Sequence, residues 1–279
     1  VLAVKCFVSG GAGVIGRELV SRLLHNGHMV VVGDLQPKPV EFPHTLEYIH
    51  GDLNQLCFGV ECDVFFHLAA TFDRLAEGPN HWEENYRHNV GLSHHLLNVI
   101  QAKRIVFASS YLIEPVPRNL TGAAKLYTEC ELEFLHKHQG QDSVSARIYR
   151  SYGCGSRDVI SRWIRAALKG EMISVYNEQT ALDFIYAGDV AEALVRLGES
   201  RVTGIIPVGT GAPRMVMDVV TILRMMFPKL SIGWMPDQHA LEVSCCHVDQ
   251  MKKHLGWLPP TTLEVGIQRI IDYEKKRCG

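Results

Sequence analysis

The sequence predicts an α/β fold, a doubly wound Rossmann-type parallel sheet with a smaller C-terminal α/β lobe, and three observations carry that expectation. Apolar runs of strand length alternate with segments of helical periodicity from Val4 to Tyr149, as in βα units whose parallel sheet is covered on both faces. The first run, Val4 to Val8, passes directly into Ser9-Gly10-Gly11-Ala12-Gly13-Val14-Ile15-Gly16 and then into a helix over Arg17 to His25. Beyond Arg150 the elements shorten and turns become more frequent. The expected division is therefore a first domain over residues 1–150 and a second lobe over 151–279, with the helix near 189–199 returning to the first.

In chain order, Leu19, Val20, Leu23 and Leu24 give the first helix its apolar stripe. Met29 to Val32 is the second strand and ends at Gly33-Asp34; the prolines between Gln36 and Pro43 make a loop. Leu46 to Ile49 and Cys62 to His67 read as strands, Trp82 to Ala102 as a helix, and Arg104 to Ala108 as a strand ending in Ser109-Ser110. A helix from about Gly122 to His138 and a strand over Val144 to Tyr149 complete the first domain. In the second lobe, helices are expected over Ile160–Leu168, Asp189–Leu197, Met217–Met226 and Thr262–Lys275. Its strands are expected over Met172–Tyr176 and Gly204–Val208.

Composition sets outer bounds. The chain has 279 residues, 47% hydrophobic and 21% charged, with a formal net charge of -2. A balance of this kind carries no basic excess that would point to nucleic acid. No apolar run approaches the ~18 residues of a membrane span, and the chain enters its first strand with no leader pattern. These features imply neither a nucleic-acid nor a membrane partner, and a cytoplasmic location. The 8 cysteines are scattered and read as free thiols. Neither His94-His95 nor His136-Lys137-His138 has cysteines or acids at metal-ligand spacing, so no metal site is expected.

The glycine-rich stretch is where the chemistry concentrates. A strand, a glycine turn and a helix in that order form a dinucleotide site. Gly10 allows the tight turn, Gly13 lets backbone approach a pyrophosphate, and Gly16 lets the helix pack on the strand. Val14, Ile15 and Gly16 open the helix, whose free N–H groups and partial positive charge face the phosphates. Asp34 lies 18 residues beyond Gly16, near the ~20-residue offset of a ribose-binding carboxylate. A carboxylate there repels a 2′-phosphate, which favours NAD over NADP. His50-Gly51-Asp52-Leu53 resembles the place where an acid and its neighbour cover an adenine. The small residues of Leu68-Ala69-Ala70 leave room for a cofactor against the backbone.

Together these residues resemble the extended short-chain dehydrogenase/reductases, the NAD-dependent sugar epimerases and dehydratases. The likeness rests on Gly10 to Gly16, Asp34, Asp52-Leu53, His67 to Ala70, Asn89-Val90-Gly91, Val106 to Ser110 and Lys125 with Glu129. It continues through Arg147 to Gly155, Asp183 to Tyr186 with Asp189-Val190, Val208 to Gly211, and Leu255-Gly256-Trp257. It implies NAD as cofactor, with Asn89, Ser109 and Ile148 joining the cofactor site, and a nucleotide-linked sugar as substrate. Arg150 and Asp183 fall at substrate-side positions. The resemblance also implies a homodimer paired through the helices near Asn89 and Gly122, whose Leu96, Ile100, Leu132 and Leu135 fit either that pairing or the interior of the monomer.

The implied reaction is a transient oxidation of a sugar hydroxyl. In the family a tyrosine four residues before the lysine takes the hydroxyl proton, and a Ser or Thr at the preceding strand end hydrogen-bonds the oxygen. Here Lys125 and Ser110 are present, but Thr121 stands at the tyrosine position. A threonine hydroxyl ionises far too weakly to replace a phenol of pKa about 10, and losing a positioned base costs roughly 10²–10⁴-fold in rate. Tyr111 and Lys125 are the candidate replacements, and a substrate carboxylate is a third source of the base. Tyr111-Leu112 also stands where the dehydratases carry acids, Leu182 where the family often has Arg, and Arg150 where it often has Asn. The Ser110–Lys125 segment is shorter than is usual. The alternative to an enzyme with atypical acid/base residues is a catalytically silent NAD-binding sensor or scaffold.

Overall fold

The computed structural model describes residues 3–57, 59–71, 81–115, 119–236 and 242–278. It divides into two compact units, Val1–Ile148 with Ala191–Ile206, and Tyr149–Val190 with Pro207–Gly279.

The first unit is built on β1 (Lys5–Ser9), α1 (Val14–His25), β2 (Met29–Asp34), β3 (Glu47–His50) and β4 (Val60–His67). A helical run follows as α2 (Trp82–Asn85), a π-helical turn over Tyr86–Gly91, and α3 (Leu92–Val99). Then come β5 (Ile100–Ser110), α4 (Leu120–Gln139) and β6 (Asp142–Ile148). The seven-stranded sheet has the order β11-β6-β5-β4-β1-β2-β3, with β11 (Gly204–Val208) at its edge. Every pairing from β3 to β6 is parallel. The strand order reverses between β1 and β4, and in open α/β sheets that is where ligands bind, outside the carboxyl ends. Phe7, Phe65 and Phe107 stand on adjacent strands, fully buried with Leu96.

The helix expected over Trp82–Ala102 ends at Val99, and Ile100 to Ala102 belong to β5, whose partners begin at Val60 rather than Cys62. Burial from Ile100 to Lys103 alternates rather than following a helical period. Ile100 pairs with Val60 and is buried, so a sheet contact overrides helix continuation at this point. Leu96, Ile100 and Leu132 are likewise core residues and offer no pairing surface.

Arg104 anchors the return of 191–206 to this sheet. It is 6% exposed and donates from Nε to Leu197 O (2.9 Å) and from its terminal nitrogens to Asp142 (2.6 Å), Val202 O (2.6 Å) and Ser200 Oγ (3.3 Å). Arg104→Met is expected to lower stability by about 3 kcal/mol, since the buried carbonyls lose their donor. The midpoint of a urea unfolding curve measures this.

Among its described residues the second unit holds three two-stranded sheets: β7 (Arg150–Tyr152) with β10 (Phe184–Tyr186), β9 (Ala181–Leu182) with β12 (Arg214–Met215), and β8 (Ile173–Val175) with β13 (Ile232–Trp234). Its core packs Ile160 and Ile164 of α5 (Val159–Leu168), Val220 and Leu223 of α7 (Val216–Met226), and Ile267 and Ile270 of α9 (Leu263–Cys278). The helix α6 (Ala187–Glu199) passes from this unit into the first, and α8 (Asp249–Leu255) precedes α9. The seven cysteines with described side chains are free thiols; the Cys278 side chain lies outside the described set.

Candidate functional site

The parallel registers align the carboxyl ends of the strands. Ser9 is level with Gly33 and His67, His67 with Phe107, and Ser110 with Ile148. The turn after β1 is stitched to its neighbours: Gly10 N donates to Gly33 O (2.8 Å), and Leu68 N donates to Ser9 O (3.0 Å). Gly10 has φ +77°, and a Cβ there would lie 2.7 Å from Ala69 N. A Cβ on Gly16 would lie 2.3 Å from Gly10 O. At both positions only glycine fits.

Gly13 differs, because among the described residues the sole heavy atom near a Cβ there is Gly10 O at 3.3 Å. It is the N-cap of α1 and has no side chain to bond the helix's first N–H groups. Those groups, with Val14 and Ile15 half-buried behind them, have no intrahelical acceptor and carry the positive end of the helix dipole. The residues fit a pyrophosphate: an uncapped helix N-terminus faces the open side of a turn that glycine keeps clear.

Asp34 closes the turn from β2. It is 7% exposed, accepting from Ala12 N on Oδ2 and from Gln36 N on Oδ1, each at 2.8 Å. Each oxygen keeps a lone pair for a further donor. Lys38 is committed to His44 O and Leu46 O (3.1 and 2.8 Å). Asp52 caps a 3-10 turn over Leu53–Gln55, accepting from Asn54 N, and Leu53 packs on Gly33. Leu68 and Ala69 are half-buried and Ala70 is exposed. Asn89 clamps the backbone of Thr71, accepting from its N (2.9 Å) and donating to its O (3.2 Å). The π-helical turn carries this buried amide, and its pairing makes it a brace for the segment after β4.

Lys125, 9% exposed, projects from α4 onto β5. Its Nζ donates to Ala108 O (2.7 Å) and stands 4.6 Å from the centre of the Phe107 ring. Burial pulls its pKa down to about 8, against an opposing pull from Glu129. Ser109 Oγ donates to Glu129 (2.6 Å), whose carboxylate also accepts from Arg147 Nε (3.0 Å) and a terminal nitrogen (2.8 Å). Ser109 therefore serves the part-buried Glu129–Arg147 ion pair. Ser110 is half-exposed, and its Oγ accepts from Leu112 N (3.2 Å) at the head of a 3-10 turn over Tyr111–Ile113. Tyr111 and Thr121 are buried, at 4% and 5% exposure. That turn presses on α4, for a Cβ at Gly122 would lie 2.2 Å from Leu112 O. Ile148, 6% exposed, ends β6 beside Ser110.

In the second unit Arg150 pairs with Glu242 at 2.5 Å. Asp183, expected on the substrate side, is fully buried and saturated. Its Oδ1 accepts from Thr210 N (2.7 Å) and Oγ1 (2.6 Å), and its Oδ2 from Gly211 N (2.8 Å) and Cys246 N (2.9 Å). With four donors on two oxygens, Asp183 is a structural staple rather than a ligand. Leu182 is buried in the core of this unit.

The sequence marks Ser9 and His67 only as members of motifs and does not mark Ser93; together the three form a buried chain beneath the turn. His67 Nδ1 and Nε2 each stand 2.8 Å from a serine Oγ, of Ser9 and Ser93 respectively. The available signal was a histidine closing an apolar strand immediately before Leu68-Ala69-Ala70. Among the described residues no group of three His, Cys, Asp or Glu is placed to hold a metal ion, and no helix is long and apolar enough to cross a membrane.

Known proteins of similar sequence cover nearly the whole chain. UDP-glucuronic acid decarboxylase 3 of Arabidopsis thaliana is 27% identical over 304 residues, 94% of this chain and 86% of that protein. A putative UDP-glucose 4-epimerase of Methanocaldococcus jannaschii is 26% identical over 307 residues, 96% of this chain and 97% of that protein. The solved structure of MoeE5 in complex with UDP-glucuronic acid and NAD is similar with a TM-score of 0.87 and 27% identity, covering 98% of this chain and 99% of that one. The model of the NAD dependent epimerase/dehydratase family matches residues 6–209. With the glycine turn, the acid closing β2 and the strand order all in place, the chain belongs to the NAD-dependent epimerase/dehydratase family.

Proposed function

We propose that this chain binds NAD in its first unit and acts on a nucleotide-linked sugar by transient oxidation of a hydroxyl, with Lys125 in place of the usual phenol as proton acceptor. The observation that carries the reading is the turn itself: Gly10 locked against Ala69, Gly13 uncapped and open, and Asp34 hooked to Ala12 N. Gly13 to Gly16 would hold the pyrophosphate, Asp34 the adenosine ribose, Asp52 and Leu53 the adenine side, and Lys125 the nicotinamide ribose. NAD bound there supplies a hydride acceptor that can return what it takes. The second unit is read as the substrate lobe, with Arg150 offering charge to an anionic sugar nucleotide in exchange for Glu242.

Lys125 is favoured over Tyr111 because burial lowers the pKa of its amine to about 8, whereas an ordinary phenol titrates at about 10. A neutral Nζ donates one hydrogen to Ala108 O and keeps a lone pair for a proton. Ser110 Oγ, half-exposed at the strand end, is the hydroxyl left to steady the substrate oxygen. The second reading, a silent sensor or scaffold, is favoured by one observation: the 111–113 turn lies against the first turn of α4, where Thr121 is buried.

The test is titration with NAD and NADP, then incubation with NAD and UDP-, dTDP- and GDP-sugars and chromatography of the products. Wild type, Lys125→Ala and Thr121→Tyr are run in parallel. Tighter binding of NAD than of NADP, and a new sugar from wild type but not from Lys125→Ala, is the expected result. Inert wild type beside an active Thr121→Tyr establishes the silent reading. Gly10→Ala is expected to weaken NAD binding at least about tenfold, because a left-handed φ and a backbone clash add strain of order 1–3 kcal/mol; calorimetric titration measures it.

The same reading includes a cytosolic homodimer. Its support is an exposed face of α4 with Tyr127, Cys130 and Phe134 at helical spacing, the surface an isologous pair needs. A mass measurement in solution tests it, and Phe134→Glu is the variant expected to give monomers.

A further inference from the structure

We infer that His67 is a positioning residue for the dinucleotide cradle, fixing the Leu68–Ala70 backbone against the Gly10 turn through Ser9. The inference rests on the reading that NAD occupies that turn. His67 is 1% exposed at the end of β4. Its ring stacks on Phe65 of its own strand (5.4 Å between centres) and packs at a tilt against Phe107 of β5 (5.3 Å), contacts that restrict its rotation. Both nitrogens are engaged, Nδ1 with Ser9 Oγ and Nε2 with Ser93 Oγ, each at 2.8 Å. A neutral imidazole has one donor and one acceptor, so it donates to one serine and accepts from the other. Serine hydroxyls satisfy either role.

The ring thereby joins three parts of the cradle. Ser9 Oγ accepts from Ala69 N at 3.4 Å, a long bond that holds only while Ser9 is itself held. Ser93 lies in the first turn of α3, so the ring ties the cradle to the helix that follows the Asn89 brace. Phe107, the register partner of His67 on β5, carries Lys125 Nζ over its own ring. A histidine, not a third phenylalanine, stands in this stack of aromatic rings. Its nitrogens are what a purely packing role leaves unexplained. The clearance they guard is small, because Gly10 and Ala69 approach too closely to admit even a methyl group.

The experiment compares wild type with His67→Phe, His67→Gln and Ser93→Ala. Two quantities are read: amide hydrogen exchange over residues 68–71 without ligand, and NAD affinity by titration. His67→Phe keeps a flat apolar ring and removes both nitrogens. It is expected to speed exchange over 68–71 and to weaken NAD binding, each by about tenfold, the scale of one buried hydrogen bond, while exchange within β5 and β6 stays unchanged. His67→Gln retains a donor and an acceptor and is expected to recover part of both losses, and Ser93→Ala to fall between. Wild-type exchange over 68–71 in folded His67→Phe overturns the inference, as does unchanged NAD affinity. If His67→Phe does not fold, Ser93→Ala and His67→Gln decide the same question. A wild type without NAD affinity removes the cofactor reading, and the exchange measurement still decides whether His67 fixes the loop.

Discussion

Lys125→Ala is expected to lower kcat/KM by roughly 10²–10⁴-fold, the range for loss of a positioned proton acceptor. The pH profile gives the sharper form of this prediction. Burial holds the Lys125 pKa down at about 8, so the neutral amine that accepts a proton grows as pH rises toward that value. Wild-type kcat/KM is expected to climb with pH through about 8 and to level off above it. A lysine acting only as a cation for ribose reverses the sign, because its charge is lost over the same interval. Lys125→Arg separates the two roles further. Arginine stays charged throughout, so activity retained in this variant, without the alkaline rise, assigns Lys125 to charge alone. Abolished activity assigns it to proton transfer.

The second large effect concerns stability. Asp183→Ala removes the acceptor for the N–H groups of Thr210, Gly211 and Cys246 and for the Thr210 hydroxyl at once. Each buried donor left unsatisfied costs about 1–3 kcal/mol. The expected loss is at least about 3–5 kcal/mol, a large part of the 5–15 kcal/mol typical of a folded protein. Denaturant unfolding with a tryptophan signal measures this. Asp183→Asn is expected to fare little better, because its amide group presents hydrogens to donors. A residue whose role is to touch substrate behaves oppositely: KM changes and the unfolding midpoint stays. The two readouts on one variant therefore assign Asp183 to the frame or to the ligand.

The contrast between Asp34 and Asp183 shows where a sequence informs about a site and where it stops. Both acids belong to recognisable motifs. Asp34 closes a strand one βα unit after a glycine turn, and local order alone places its carboxylate at that turn. Asp183 gains its meaning from Thr210, Gly211 and Cys246, far along the chain, and nothing local shows that these amides converge on it. Six strands of the main sheet were legible from their apolar runs, whereas Gly204–Val208 was read as a strand of the second lobe and only its pairing beside β6 places it at the edge of this sheet. The pairs β7 with β10 and β9 with β12 were not legible, since elements of two or three residues carry no period. The junction at Ile100 misled for a related reason. An apolar residue one helical turn after Leu96 fits a helix as well as a strand, and only the pairing with Val60 decides it. His67 was visible as a letter. Its ring contacts with Phe65 and Phe107 depend on β4 and β5 lying in register.

The measurement that bears most directly on the account is the absorbance of reduced nicotinamide after rapid mixing of NAD-saturated protein with a sugar nucleotide, UDP-glucuronic acid and UDP-glucose first. A rise in that absorbance for at least one sugar, absent from Lys125→Ala and faster at alkaline than at neutral pH, is the predicted result. No rise with any sugar nucleotide, from protein shown to hold NAD, would contradict transient oxidation by this chain.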